Sequence, residues 1–135
     1  MLKESIQKFW SKEALPALMD FIRLPAKSTA FDPQWKENGY LKGACELAAN
    51  WIQKTVPDAK CEILEFEGKT PCLFVEIDGY QNSDKTVAFY GHLDKQPEAK
   101  GWREGLGPWT PVLEGEYLYG RGASDDGYSV YAMIT

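Results

Sequence analysis

Histidine is nearly absent: His92 is the only one in 135 residues. Any chemistry that needs an imidazole must run through that one side chain. Cysteine is scarce as well. Cys45, Cys61 and Cys72 form no CxxC, and an odd number cannot all pair. That usage fits a reducing compartment, and the expectation is a cytoplasmic protein whose thiols are small buried side chains. Long apolar runs are missing, and none approaches the ~18 residues of a membrane span. The opening Met-Leu-Lys-Glu-Ser-Ile-Gln-Lys-Phe-Trp has no apolar h-region, which points away from a secretory signal. Positive charge is not in excess. The net charge of −5 argues against nucleic acid or an anionic membrane as partner. Internal repeats, low-complexity segments and interdomain linkers are also lacking.

What is there is an ordinary globular composition. Apolar residues make up 44 %, enough for one small domain with a core. Leu15, Leu18, Met19 and Ile22 fall at i, i+3, i+4 and i+7, one face of an amphipathic helix. Pro16 fits its first turn and Ser11 is a candidate cap. Ile6, Phe9 and Trp10 suggest a shorter helix before it. Leu24-Pro25 ends this region, and residues 25–39 read as loop. Leu41, Ala44, Cys45, Ala48, Trp51, Ile52 and Thr55 form the stripe of a second helix, closed by Val56-Pro57.

The period then changes. Cys61–Phe66 and Cys72–Ile77 read as short strands able to pair as a hairpin, with turn signals at Gly68 and from Gly79 to Asp84. Thr86–Tyr90 is apolar without alternation, as expected of a central strand buried on both faces of a mixed sheet. Residues 95–116 read as a long loop rich in Gly, Pro and Trp. Its Glu98, Glu104, Glu114 and Glu116 read as solvated charges, and Trp102 and Trp109 as side chains that pin the loop. Tyr117–Tyr119 reads as a strand. From Asp126 onward Tyr128, Val130, Tyr131, Met133 and Ile134 begin a buried helix. That pattern runs to Thr135 without a cap or polar tail, so the expectation is a truncated chain. The fold class expected is α/β.

Two short motifs carry the chemistry. Tyr90-Gly-His-Leu-Asp94 follows the apolar run, and Tyr-Gly-Arg-Gly-Ala-Ser-Asp-Asp-Gly occupies residues 119–127. His92 and Asp94 are two apart, so in extended backbone they point the same way, and the carboxylate can orient the ring. Asp125-Asp126 lies at a strand-to-helix turn, where an acid can cap the helix or ligate a metal. In open α/β sheets the ligand crevice lies at the carboxyl ends of strands. The expectation is therefore that His92 and Asp125 approach within roughly 7 Å at the ends of neighbouring strands.

Gly-His-Leu-Asp-Lys-Gln-Pro, a Trp- and Pro-rich stretch, then Leu-Tyr-Gly-Arg-Gly-Ala-Ser-Asp-Asp-Gly together resemble one family. It is the di-zinc metallopeptidase family (clan MH, family twenty), with carnosinase-like dipeptidases, glutamate carboxypeptidases, aminoacylases, acetylornithine deacetylase and succinyl-diaminopimelate desuccinylase. The resemblance covers nearly the whole chain. Leu24–Pro33 looks like the segment after the family's first helix, and Lys69–Glu76 like its second strand region. It implies that residues 1–135 are the N-terminal part of an αβα catalytic domain, incomplete here. By this resemblance His92 matches a ligand of one zinc ion, Asp94 the nearby acid that supports catalysis, and Asp125 the carboxylate bridging two zinc ions. It also implies a cis peptide after Asp125. Many members carry a lysine after the acidic pair; here Gly127 follows Asp126 directly, a form shared by a subgroup.

Zinc needs about four ligands, and this chain offers two. The family's Glu-Glu motif, later ligands and a lid domain that often dimerises match nothing in these residues. The resemblance thus implies a cytoplasmic, zinc-dependent amide hydrolase in the full-length protein. Its substrates would be small peptides or N-acyl amino acids, it could act as a homodimer, and the 135-residue chain alone is expected to be inactive with zinc absent or weakly held. Dipeptidase or carboxypeptidase is the first reading. An N-acyl-amino-acid deacylase on the same scaffold and a non-catalytic, degenerate domain are the alternatives.

Overall fold

A computed structural model describes residues 1–82 and 84–135. Helices α1 (Leu2–Phe9) and α2 (Leu15–Arg23) are not separate. A π-helical turn, Trp10–Ala14, joins them, and the Leu15 N–H donates to the Trp10 carbonyl five residues back. Pro16 accounts for the wide turn: it has no N–H to give, and its ring would crowd the carbonyl four residues before it. The expected cap is corrected accordingly. Ser11 sits inside the continuous helix, where its hydroxyl donates to the Gln7 carbonyl at 2.9 Å. At Leu24 the backbone turns extended, as the residue before a proline favours.

Within the 25–39 segment only Trp35–Asn38 (α3) is helical, and it hands over to α4 (Tyr40–Thr55) through Gly39. Of the stripe read from the sequence, Leu41, Ala44, Cys45, Ala48 and Ile52 are buried, Trp51 and Thr55 are half-buried, and Ala49 joins the buried face. Burial pushes the Cys45 thiol up to about 11, so it behaves as a small apolar group. Strands β1 (Lys60–Leu64) and β2 (Cys72–Glu76) pair antiparallel, with Lys60 opposite Glu76 and Leu64 opposite Cys72, and α4 packs on this hairpin.

The core lies where α2 and α4 meet α5 (Tyr128–Ile134). Leu18, Phe21, Ile22, Ala26, Leu41, Ala44 and Tyr131 form one buried cluster. Burying each of its large side chains is worth about 1.5–3 kcal/mol. Trp51 meets the Tyr131 ring edge-on, with centroids 4.9 Å apart. Of the α5 residues expected in the core, Tyr131 is fully buried, and Tyr128 is exposed.

The chain is α/β, but three expectations about its sheet need correction. First, Thr86–Tyr90 forms no strand, and Tyr90 is 86 % exposed. A run that is apolar on both faces needs strands on each side and a layer above and below, and no described residues supply them. Second, there is no mixed sheet among the described residues, only two antiparallel pairs and two isolated bridges, Lys27 to Lys95 (parallel) and Gly107 to Thr110 (antiparallel). Third, the 95–116 loop is not wholly irregular. Val112–Glu114 (β3) pairs with Tyr117–Tyr119 (β4) through a tight turn at Gly115.

The Tyr131 hydroxyl is buried without a hydrogen-bond partner among the described residues. An unpaired buried hydroxyl is destabilising by about 1–3 kcal/mol. Tyr131→Phe is therefore expected to raise the melting temperature of the chain while leaving its circular dichroism unchanged. A lower melting temperature would mean that the hydroxyl is hydrogen-bonded after all.

Candidate metal centre

The two motifs meet. His92 Nε2 lies 3.1 Å from Asp125 Oδ1, although 33 positions separate the two in the sequence. The carboxylate that draws them together belongs to the neighbouring residue. Asp126 Oδ2 accepts the His92 backbone N–H at 3.1 Å and the Ser129 hydroxyl at 3.0 Å. The peptide between Asp125 and Asp126 is cis, as the resemblance implied. The two carboxylates thus divide their tasks: Asp126 faces inward to the His92 backbone and α5, while Asp125 points outward with its side chain 67 % exposed. Gly91 makes the approach possible. A Cβ there would lie 2.4 Å from Ser129 Oγ and 3.1 Å from Asp126 Oδ2.

The other side of the ring is held by Asp94. His92 Nδ1 is 3.0 Å from the Asp94 carbonyl and 3.1 Å from Asp94 Oδ1. A carbonyl only accepts, so Nδ1 donates there; Nε2 faces a carboxylate oxygen that also only accepts, an arrangement satisfied by a protonated ring or by a cation shared between the two. Two ligands at ~2.0–2.2 Å from one tetrahedral ion sit roughly 3.3 Å apart, so the observed separation suits a shared ion. The donors fit two positions of a zinc shell and no more. Among the described residues no group of three or more His, Cys, Asp or Glu side chains could hold a metal.

The expected place of this pair in the sheet is corrected. Neither residue stands at the end of a parallel strand. His92 follows irregular backbone, and Asp125 follows β4, whose partner is β3. Other contacts frame the site. Arg121 donates from Nε to the Pro97 carbonyl at 2.6 Å and from its backbone N–H to the Pro108 carbonyl at 2.8 Å. Trp102 pins the same loop through the Glu98 carbonyl, and Glu98 is not simply solvated, since Lys27 pairs with it at 2.9 Å. Of these struts the sequence singled out only the tryptophans. The acidic pair Asp125-Asp126 read as a helix cap or a metal ligand with no separate task for Asp126, and nothing marks Arg121 in a glycine-rich turn as a brace.

Residues 88–135 match the model of peptidase family M20/M25/M40. A succinyl-diaminopimelate desuccinylase of Wolbachia pipientis wMel is 35 % identical over 118 residues, 86 % of this chain and 27 % of the relative. A second, from Novosphingobium aromaticivorans, is 49 % identical over 68 residues, 50 % of this chain and 17 % of the relative. A Beta-Ala-His dipeptidase of Mus musculus is 44 % identical over 66 residues, 47 % of this chain and 13 % of the relative. Residues 88–135 thus carry the M20/M25/M40 peptidase pattern, and the chain is similar to these relatives over as much as 86 % of its length. Its matches span about a quarter or less of the length of these relatives.

Burial opposes a charge on His92, but the Asp94 carbonyl and the carboxylates of Asp94, Asp125 and Asp126 outweigh it. The imidazole pKa is raised above its ordinary 6.5. The linked stability is present in full below the unfolded value and is lost as pH rises through the folded midpoint. NMR titration of the single imidazole in the metal-free chain should place its midpoint above 6.5, and Asp125→Asn should bring it down. A wild-type midpoint at or below 6.5 would contradict the arrangement of acids around the ring.

Proposed function

We propose that the full-length protein is a zinc-dependent amide hydrolase, with His92 and Asp125 supplying ligands and Asp94 orienting the imidazole. The observation that carries this reading is the 3.1 Å approach of Nε2 to Asp125 Oδ1 on an open face. Bound there, zinc would polarise a carbonyl and lower the pKa of a coordinated water. His92 contributes a neutral ring whose lone pair is fixed by the Nδ1–H bond to Asp94. Asp125 contributes negative charge, and its outward carboxylate has room to serve a second ion as well. Asp126 keeps both in place from behind. The remaining ligands and the carboxylate that moves protons come from outside these residues, so the 135-residue chain is inactive and holds zinc weakly at best.

Dipeptides or C-terminal peptide bonds are the first substrate class. N-acyl amino acids are the second, favoured by the desuccinylase names of several relatives. Fold alone does not choose between them.

Full-length protein assayed with added zinc on dipeptides and on N-acetyl and N-succinyl amino acids should hydrolyse one class. Asp94→Ala should lower kcat/KM by about 10–100-fold, as expected for a residue that orients a metal ligand. His92→Ala and Asp125→Ala should lower it further. Full activity in Asp125→Ala would remove that residue from the site, and turnover by purified 135-residue chain would overturn the claim that essential groups lie elsewhere.

A further inference from the structure

Lys95 is 1 % exposed, and no carboxylate among the described residues pairs with it. Its Nζ donates instead to three carbonyls where α2 ends: Phe21 at 2.7 Å, Ile22 at 3.2 Å and Leu24 at 2.6 Å. That is the negative end of the helix dipole, where a cation is favoured. Nζ also sits 4.0 Å from the centroid of the Phe21 ring. Burial pushes the Lys95 pKa down to about 7, while the carbonyls and the ring act the other way by favouring the charged form. Lys95 therefore grips Phe21 twice, through its carbonyl and through its ring.

The second motif is laid on these same two side chains. Gly122 has φ +83°, and a Cβ there would lie 2.9 Å from Lys95 Cε and 3.0 Å from Phe21 Cε1. A Cβ at Gly127 would strike the same edge of Phe21 and lie 2.7 Å from the Gly122 carbonyl oxygen. Bare Cα atoms thus rest on Lys95 and Phe21 at both ends of the turn. Asp126, whose Oδ2 accepts the His92 backbone N–H at 3.1 Å, is bonded to Gly127. An unbroken line of contacts runs from Lys95 through Phe21 and Gly122 to Gly127 and Asp126.

We propose that Lys95 is a positioning residue for the second motif: held by the α2 carbonyls, its ammonium keeps Phe21 and the Gly122–Gly127 turn seated, and so keeps Asp126 within reach of the His92 backbone. The Lys95 backbone is pinned to the same region. Its N–H donates to the Ala26 carbonyl and its carbonyl accepts from the Ser28 N–H, both at 2.9 Å. A methionine would fill a similar volume yet leave the three carbonyls without this donor, so Phe21 would be free to turn and the glycines to lift. The seating of the turn stands on these contacts alone; its consequence for zinc rests on the metal-site reading.

The test reads the backbone amide proton of His92 in metal-free full-length protein labelled with 15N-histidine, at one fixed pH, the signal being identified by its loss in His92→Ala. An amide proton bonded to a carboxylate resonates downfield. Its shift belongs to the native state, so a loss of stability alone does not move it. Asp126→Ala should move the signal upfield and sets the size of the change when the bond is lost. Lys95→Met, with circular dichroism unchanged, should move it the same way. Zinc affinity should fall by about 10–100-fold, the scale seen when support behind a ligand is lost. A folded Lys95→Met whose His92 amide stays at the wild-type position overturns the proposal, whatever its melting temperature, and so does an Asp126→Ala that leaves the signal in place. If Met prevents folding, Lys95→Gln decides in the same way, its amide nitrogen ending one bond short of the Nζ position. If neither variant folds, Lys95 serves folding as a whole and the proposal fails. If wild type binds no zinc, the metal reading fails, and the amide comparison still judges Lys95.

Discussion

Both motif loops rest on the buried last turn of α2. Phe21 and Ile22 have no exposure, and Lys95 reaches past them to the carbonyls of that turn. From the other direction the 120–127 turn presses so close that a Cβ at Gly120 would strike Ile22 and one at Gly127 would strike Phe21. Two segments distant in sequence are therefore registered against one helix end. Only then can Asp126 accept from the His92 N–H and leave Asp125 facing the ring. The fine geometry of the site is set by packing at α2, and the polar contacts complete it.

The helices were legible because their apolar spacing matches their burial. The stripe along Leu41, Ala44, Cys45, Ala48 and Ile52 is the face of α4 that is covered. The β1–β2 pair was legible from β-rich runs flanking Gly68. The π turn was not, because Pro16 reads equally well as the start of a new helix; its missing N–H can be absorbed by a wider turn instead. Strand β3 hid in a loop-like composition, since Val112–Glu114 is only three residues long and takes its identity from β4. Thr86–Tyr90 failed for a different reason. Apolar character states what environment a segment needs, and it cannot name the strands that would provide it.

At the site the pattern is similar. The approach of His92 to Asp125 was legible because a lone histidine and a glycine-bounded acidic pair are uncommon in combination. The cis peptide followed from the family resemblance rather than from any local signal. Asp126, Ser129 and Lys95 were illegible because their partners are backbone groups or residues far along the chain. A lysine followed by Gln-Pro looks solvated in any sequence. Its burial depends on the absence of a side chain at Gly122 and on carbonyls at the end of a helix 71 or more residues earlier.

The division of labour between the adjacent acids is what gives the site its chemical direction. One carboxylate is consumed by structure, so the other carries exposed negative charge beside the imidazole Nε2. The most direct test of this is anomalous diffraction at the zinc edge from crystals of the full-length protein. The account predicts a zinc peak bonded to both His92 Nε2 and Asp125, with Asp126 still turned toward the His92 backbone. A zinc ion bound to Asp126 instead, or found away from His92, would contradict it.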